Sequence, residues 1–212
     1  SENVDVQRGG ELPRNTYAVF DSALRATAGE TLDEARMRAA ELWAGYSAVA
    51  AENPDLDVEA MTADDIRNPS AGNRMVSWPY TKAMCANNTV DHSGALILTT
   101  HERAEALGVP DDHRVYLRDL VTAADSDTFL TRADVARVPG LDNAVAALRE
   151  RWGDLATLDH IDLYGCFPSM VAYTAEAMGL DPGRELTVAG GLGFMGAPVS
   201  YTHLTLPTME LV

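Results

Sequence analysis

The chain has 212 residues, and 46% of them are hydrophobic, which is enough for the core of one large domain or of parts of two. Its formal net charge of -16 opposes broad attraction to nucleic acid or to an anionic membrane, because both are themselves negative. No apolar run approaches the roughly 20 residues of a membrane span. We therefore expect a small-molecule or protein partner, no nucleic acid and no membrane span.

The two cysteines, Cys85 and Cys166, lie far apart and form no metal-ligand motif. Isolated thiols are typical of a reducing compartment, so we expect a cytoplasmic protein. The chain begins with Ser1 rather than Met, which favours a fragment of a longer protein, although trimming would give the same start.

Two helices are predicted at the beginning of the chain. Residues 12–28 carry an apolar stripe at helical spacing. Thr31 and Glu34 then have the spacing of a capping box, so a second helix is expected to begin there and to run to about residue 51. Because each helix has one apolar face, we expect the two to pack together as an αα-hairpin.

Residues 53–79 are expected to be irregular, because three prolines interrupt any long helix. This segment is a connector or a binding loop. Arg67 and Arg74 are its basic side chains, and either could meet a phosphate or simply pair with a nearby carboxylate.

The second half alternates predicted strands and helices. The expected strands are residues 95–98, 115–122, 160–164 and 186–189, the first of them fully buried. The intervening helices are expected to begin at a capping box of Thr99 and Glu102, at a stripe that starts with Leu141, and at Pro168. This order predicts an α/β fold whose last two strands are parallel and joined by a right-handed crossover.

Small-residue turns follow the last two strands, at residues 165–169 and 189–198. Ligand sites in parallel sheets gather at the carboxyl ends of the strands, so both turns are expected at one site. Residues 191–196 also read Gly-Leu-Gly-Phe-Met-Gly, the literal pattern of a dinucleotide-binding loop. Such a loop opens a helix and is followed by an acidic residue about 20 positions on. We expect no helix here because Pro198 and Pro207 disfavour it, so nucleotide binding is a remote alternative.

Two clusters place carboxylates beside histidines, at residues 111–113 and 159–162. Their positions on a connector and at a strand entrance favour solvated acidic residues, so we expect no metal. Cys166 is the plausible local thiol. It lies near the start of a helix, whose dipole is expected to lower its pKa, but it lacks an evident base.

Several segments taken together resemble a thiolase-like protein. They are residues 68–76, residues 79–82 (Pro-Tyr-Thr-Lys), residues 87–91 (Asn-Asn-Thr-Val-Asp), residues 162–169 (Asp-Leu-Tyr-Gly-Cys-Phe-Pro-Ser) and residues 190–194 (Gly-Gly-Leu-Gly-Phe). The most similar group is acetyl-CoA acetyltransferase, close to the sterol-carrier type of thiolase. The resemblance implies a layered αβαβα fold and an acyltransferase of lipid metabolism, with a CoA thioester as substrate and no permanently bound cofactor.

The same resemblance divides the chain. Residues 1–85 match the end of the loop domain, residues 86–110 the last strand and helix of the first thiolase half, and residues 111–198 the first part of the second half, including its opening βαβαβ unit. The nucleophilic cysteine of the family is expected before Ser1 and its last cysteine after Val212. The fold is therefore expected to be incomplete, as an internal fragment.

The resemblance also implies a site. Asn87 and Asn88 match a turn that contacts the pantetheine of CoA. Residues 164–167 match the family motif Asn-Glu-Ala-Phe, whose Asn forms part of an oxyanion hole and whose Phe lines the CoA tunnel. Residues 196–198 match Gly-His-Pro. We expect a pocket at Tyr164, Cys166 and Ala197, and CoA or substrate contacts from Asn87, Asn88, Phe167, Gly191 and Gly196, all converging on one concavity.

Two positions depart from the family pattern. Tyr164 stands where the family has Asn, and Ala197 where it has the catalytic His. Loss of an imidazole that orients the nucleophile and donates to the thioester oxygen should cost orders of magnitude in rate. Two functions are therefore left open, a thiolase-like acyltransferase and a non-catalytic acyl-CoA-binding or scaffold subunit. Thiolases are commonly oligomers, and some thiolase-like proteins pair with a small OB-fold protein, so we expect a homo-oligomer of the intact protein and such a partner.

Residues 199–212 do not continue the thiolase pattern. Their sequence is that of a translated transposase-based sequencing adapter, and it has no amphipathic period. We expect this tail to be non-native and poorly packed, with the natural gene continuing from about residue 198.

Overall fold

The computed structural model describes residues 12–92, 95–125, 132–181 and 183–197. The helices are α1 (Pro13–Ala28), α2 (Leu32–Glu52), α3 (Ala63–Arg67), α4 (His101–Ala106), α5 (Pro139–Trp152), α6 (Pro168–Ala177) and α7 (Gly191–Phe194). The strands are β1 (Met75–Ser77) and β2 (Tyr80–Thr81), and short 3-10 turns cover Lys82–Met84, Asp111–His113 and Leu155–Thr157. The fold is thus a mostly helical α/β arrangement. The predicted non-native tail lies outside the described residues.

The two N-terminal helices are confirmed. α1 begins with Pro13 in its first turn, where the missing N–H costs nothing. α2 begins at the predicted capping box, in which the Glu34 carboxylate accepts from the Thr31 N–H at 2.7 Å and the Thr31 hydroxyl accepts from the Glu34 N–H at 3.3 Å.

The predicted αα-hairpin is wrong. α1 packs mainly against α6 and β1, whereas α2 packs against α3, α6 and α7. The apolar face of α1 therefore packs against elements far along the chain, whereas α2 packs against the next helix, α3, as well as against the distant α6 and α7, which a local stripe does not reveal. α2 occupies the centre of the core, where its side chains Trp43, Tyr46 and Ala50 are buried.

Residues 53–79 contain more regular structure than predicted. A second capping box, with Thr62 and Asp65 exchanging hydrogen bonds, begins the short helix α3. The buried Asn73 side chain then donates to the carbonyl of Asp65 at 2.8 Å and to that of Ile66 at 3.0 Å, which ties the loop to the end of α3.

The sheet is much smaller than predicted. Within the described residues it consists of β1 and β2 alone, paired antiparallel with Met75 opposite Thr81 and Ser77 opposite Tyr80. The predicted buried strand at residues 95–98 is wrong, because Leu96, Ile97 and Leu98 are 72%, 88% and 83% exposed.

The predicted strand at residues 115–122 is also wrong, since Val115 is 98% and Leu117 70% exposed and no strand forms there. A strand exists only where neighbouring backbone pairs with it, and neither apolar segment meets such a neighbour within the part of the chain that the structure describes. The layered αβαβα arrangement and the parallel βαβαβ sheet are accordingly not seen among these residues.

The segments at residues 160–164 and 186–189 do lie side by side, although neither forms a regular strand. The Leu163 N–H donates to the Leu186 carbonyl at 2.9 Å. Beside this bond, the Asp162 carboxylate accepts from the Thr187 hydroxyl at 2.7 Å and from the Val188 N–H at 3.1 Å. The Asp162 side chain therefore makes some of the hydrogen bonds between the two segments that the backbone would make in a regular pair of strands.

The helices of the second half are confirmed with one shift. α5 covers the predicted stripe, and α6 begins at Pro168. α4 is capped by Thr100 rather than Thr99, because the Thr100 hydroxyl is the one that accepts from the Arg103 N–H, at 3.2 Å. No helix among the described residues is both long and apolar enough to cross a membrane.

Candidate functional site

One large cavity brings most of the predicted site residues together. Its volume is about 2220 Å³, which exceeds the usual range of about 300–1,000 Å³ for small-ligand pockets. The predicted residues that line it are Asn87, Asn88, Tyr164, Cys166, Phe167 and Ala197. Gly191 and Gly196 do not line it themselves, but their neighbours Gly193 and Ala197 do. Turns that are about 100 residues apart in sequence therefore share one concave surface.

Two backbone hydrogen bonds join the Asn87 turn to the glycine-rich turn. The Ala197 N–H donates to the Asn87 carbonyl at 2.7 Å, and the Asn87 N–H donates to the Leu192 carbonyl at 2.9 Å. The Asn87 side-chain oxygen accepts from the Thr89 N–H at 3.1 Å, which fixes its own turn. Main-chain hydrogen bonds thus hold Ala197 beside Asn87.

The glycine-rich turn needs glycine at two of the predicted positions. Gly191 has a φ of 69°, and a Cβ there would lie 2.4 Å from the Tyr46 ring. Gly196 has a φ of 109°, and a Cβ there would lie 2.5 Å from Val90. Both sites combine a left-handed backbone with a close neighbour, so a larger residue would push the turn away from the cavity.

Tyr46 connects α2 to both extended segments next to the site. Its hydroxyl lies 3.0 Å from the Leu186 carbonyl and 3.3 Å from the Leu163 carbonyl, so its single proton is shared between the two. Burial raises the pKa of Tyr46, which keeps this donor neutral. Sequence reasoning placed Tyr46 on the apolar stripe of α2 but missed this role, because its partners lie in a distant part of the chain.

Aromatic side chains form one wall of the cavity. The Phe167 ring stacks on the Tyr17 ring with centroids 4.6 Å apart and an interplanar angle of 21°. The buried Tyr80 ring also contacts Phe167, at 5.1 Å. Tyr17 comes from α1, so the N-terminal helix contributes directly to the site, which the sequence did not indicate.

Both cysteines of the chain face this cavity. Burial raises the pKa of Cys85 to about 11, and its thiol donates to the Thr81 carbonyl. Burial also raises the pKa of Cys166, and a hydrogen bond with Tyr164 offsets this rise in part. The expectation that the helix dipole lowers the pKa of Cys166 is therefore wrong, because desolvation of the thiolate is the larger effect. Both thiols are protonated at neutral pH in this arrangement.

The described lining of the cavity contains no histidine. The carboxylate of Asp162, which does line the cavity, is already engaged by Thr187 and Val188. Among the residues that the structure describes, no group of three metal-ligating side chains could hold an ion, and the clusters at residues 111–113 and 159–162 do not form one.

Three cationic side chains, Arg14, Arg74 and Lys82, line the same cavity. None of them forms an ion pair with a described carboxylate. Arg67 behaves differently, since it pairs with Asp33 at 3.0 Å and does not line the cavity. Arg74 donates to the Met75 carbonyl at 3.2 Å but pairs with no described carboxylate, so of the two arginines it is the one placed to meet an anionic ligand group.

The Gly-Leu-Gly-Phe-Met-Gly segment opens the single-turn helix α7, so the expectation of no helix is corrected. Its surroundings do not suit a pyrophosphate, however. The Thr187 hydroxyl accepts from the N–H groups of Ala189 at 3.2 Å and Gly190 at 3.0 Å. The Tyr46 ring also packs directly against Gly191, where a Cβ would lie 2.4 Å from it. These contacts disfavour a dinucleotide-binding loop.

No family model matches the sequence, and no curated protein matches it significantly. The fold is nevertheless similar to a solved structure, a monomeric SCP2-thiolase-like protein type 1 from Mycobacterium smegmatis, with 30% sequence identity and a TM-score of 0.73 over 90% of this chain. The chain has a thiolase-like fold. It spans 44% of the length of that mycobacterial chain.

Proposed function

We propose that the chain forms the CoA-thioester-binding part of a thiolase-like protein of the acetyl-CoA acetyltransferase type. The main support is the pair of main-chain bonds that place Ala197 beside Asn87, on the same cavity as Tyr164 and Cys166. These are the residues that the thiolase resemblance assigns to CoA and to the acyl group. The similarity to an SCP2-thiolase-like structure supports the thiolase-like fold on which this proposal is built.

The chemistry of the cavity suits the two parts of a CoA thioester. Phe167, Leu192 and Phe194 offer an apolar lining for an acyl chain and a pantetheine arm. Arg74 and Lys82 offer positive charge without carboxylate partners, as phosphate groups require. The same lining also carries the carboxylates of Glu59, Asp64, Asp65 and Asp162. The cations therefore offer local contacts to an anionic group rather than a cavity of uniformly positive charge.

Within this proposal, the described residues bind the thioester rather than cleave it. Acyl transfer needs a thiolate and a general base. Both cavity cysteines have raised pKa values. The thiolase resemblance, moreover, assigns the position of the family's histidine to Ala197. Acyltransferase activity would therefore depend on groups outside the described residues, and the non-catalytic binding subunit remains the second candidate. The homo-oligomer and the OB-fold partner stay predictions, whereas the similar mycobacterial protein is described as monomeric.

Calorimetric titration of the 212-residue chain with CoA tests the proposal. We expect saturable binding that weakens as salt increases, because phosphate contacts are screened. Arg74→Ala should weaken binding by about three- to tenfold, the loss of one charge-assisted contact. Arg67→Ala is the matched control, since Arg67 pairs with Asp33 away from the cavity, and it should bind CoA as the unsubstituted chain does.

Incubation with acetyl-CoA followed by mass spectrometry separates the two candidate functions. Binding without modification supports the binding subunit, and an acetylated cysteine supports acyl transfer by this chain. Absence of any CoA binding, with the chain folded by circular dichroism, would overturn the proposal.

A further inference from the structure

The aromatic wall of the cavity is supported by a buried hydrogen-bond network that does not itself line the cavity. Tyr17 and Phe167 line the cavity. Tyr80, Asp21 and Ser169 do not, and they are 0%, 8% and 3% exposed. Polar groups so well buried are held only when their hydrogen-bonding partners are fixed.

The Tyr80 hydroxyl is the centre of this network. It lies 2.8 Å from the Ser169 hydroxyl, 3.0 Å from the Asp21 carboxylate and 3.1 Å from the Tyr17 carbonyl. A tyrosine has one hydroxyl proton, which Asp21 and Tyr17 share as acceptors, so Ser169 donates to Tyr80. All three neighbours therefore contact a single hydroxyl, whose one proton is donated to one acceptor at a time.

The network joins three elements beside the cavity wall. Tyr17 and Asp21 are one turn apart on α1, Tyr80 is on β2, and Ser169 is the second residue of α6. Phe167 immediately precedes α6, and its ring contacts both Tyr17 and Tyr80. Loosening the Tyr80 hydroxyl would therefore free the Tyr17 and Phe167 rings together, along with the turn that carries Cys166.

We propose that Tyr80 and Asp21 are positioning residues for the cavity, which hold the Tyr17 and Phe167 rings and the Cys166 turn in the arrangement that receives the thioester end of the ligand. They act through the wall and touch no ligand themselves. This inference rests on the proposed function for the nature of the ligand, but the ordering of the wall can be measured without it.

Tyr80→Phe keeps the ring against Phe167 and removes the hydroxyl. Two measurements follow the wall: the affinity for CoA by calorimetry, and the rate at which iodoacetamide alkylates Cys166, read from its peptide by mass spectrometry. We expect the affinity to fall about fivefold, the effect of roughly one hydrogen bond, and Cys166 to be alkylated several times faster. Ser169→Ala removes the donor to Tyr80 and should change both in the same direction, which keeps the test available if Tyr80→Phe does not fold.

Tyr173, one turn beyond Ser169 on α6, supplies a matched control, because Tyr173→Phe keeps its ring contact with Phe20 of α1. Its hydroxyl donates to the Asp142 carboxylate at 2.9 Å and accepts from the Val138 N–H at 3.0 Å, and it does not line the cavity. Tyr173→Phe removes a comparable bond between a hydroxyl and a carboxylate. It should lower stability but leave CoA affinity and Cys166 alkylation unchanged. Asp21→Ala should reproduce the effect of Tyr80→Phe, and Asp21→Asn, which keeps an acceptor oxygen, should restore most of both readouts.

The outcomes separate the two proposals. If the unsubstituted chain binds CoA but Tyr80→Phe and Tyr173→Phe have equal effects on affinity and on Cys166, the positioning role is overturned. If the unsubstituted chain does not bind CoA while Tyr80→Phe alone accelerates Cys166 alkylation, the positioning role stands and the proposed ligand is wrong. An unchanged Cys166 rate in both Tyr80→Phe and Ser169→Ala overturns the inference whatever CoA does.

Discussion

The N–H of Ala197 donates to the carbonyl of Asn87 at 2.7 Å, across 110 positions of sequence. This bond attaches the glycine-rich turn to the turn that follows the Lys82–Met84 3-10 segment, and both turns border the cavity. Because a main-chain bond sets this position, it does not depend on which side chain stands at residue 197.

Removing the Tyr46 hydroxyl should destabilise the chain while leaving its packing intact. Tyr46→Phe keeps the ring beside Gly165 and Gly191 but loses the bonds to the Leu163 and Leu186 carbonyls. We expect the free energy of unfolding to fall by about 1–2 kcal/mol, measured by urea denaturation. Tyr116→Phe, in which the lost partner is the exposed His101, should change it by less than about 0.5 kcal/mol. Equal effects of the two substitutions would contradict a bridging role for Tyr46.

A side chain at Gly191 should be costly, and one at Gly45 should be favourable. Gly191→Ala combines a left-handed backbone with a Cβ 2.4 Å from the Tyr46 ring, so we expect a loss of about 2–4 kcal/mol. Gly45 lies inside α2, where a Cβ would have no neighbour within 4 Å, and Gly45→Ala should stabilise the chain by about 0.5–1 kcal/mol. Thermal and urea unfolding of the two variants measure this difference in sign, and a stable Gly191→Ala would show that the turn can relax.

Local signals in the sequence predicted the helices well. The capping box of Thr31 and Glu34 and the prolines at the first turns of α1 and α6 act within one turn of chain, so a short pattern contains all their partners. The turns that border the cavity were also predicted, because small residues after apolar runs are a local feature. How each turn is held was not predictable, since Tyr46 bonds to carbonyls more than 100 positions away.

The strands, in contrast to the helices, were predicted poorly. The run at residues 95–98 has the composition of a buried strand, yet Ile97 is 88% exposed. Composition measures how well side chains would suit a sheet, whereas a strand requires a second backbone at about 4.8 Å. The same limit applies to Cys166, because its burial, which raises its pKa, comes from distant elements rather than from the helix that it precedes.

The buried Asp21 should make stability depend on pH in the acid range. Burial raises the pKa of Asp21 above its ordinary value of 3.8, although the Tyr80 hydrogen bond and the Arg38 and Arg25 charges lower it, while Glu30 adds to the rise. As pH rises from that ordinary value through the raised one, the unfolded chain loses the proton first, so stability falls. Asp21→Asn should remove this fall. The variant should therefore become more stable relative to the unsubstituted chain as pH rises from the ordinary pKa to the raised one.

A group with the opposite shift serves as the control for Asp21. Hydrogen bonds from Thr31 lower the pKa of Glu34, so its contribution is present above its ordinary value of 4.5 and is lost as pH falls through the lowered one. Urea denaturation at a series of pH values should therefore show Asp21→Asn gaining on the unsubstituted chain as pH rises, and Glu34→Gln losing. Parallel profiles for the two variants would contradict the assignment of Asp21 as a buried, destabilised carboxylate.

The pH dependence of Cys85 alkylation should distinguish a thiol that only lines the cavity from one that acts as a nucleophile. Burial raises the pKa of Cys85 to about 11 from an ordinary value of 9.0, with a smaller contribution from Cys166, while Arg14 and Arg74 lower it. The thiolate fraction at pH 8 should thus be about a hundredfold lower than in the unfolded chain, and the alkylation rate should rise about tenfold per pH unit up to about 11. The pH at which the rate levels off reports the pKa regardless of how accessible the thiol is.

Arg74→Ala should move that pH upward, because it removes a positive charge that stabilises the thiolate. Alkylation with isotope-labelled iodoacetamide, followed by peptide mass spectrometry, measures the Cys85 alkylation rate in the unsubstituted chain and in Arg74→Ala. If the Cys85 rate levels off below pH 9, the thiol is ionised too easily for a passive lining residue, and Cys85 becomes the first candidate for carrying an acyl group.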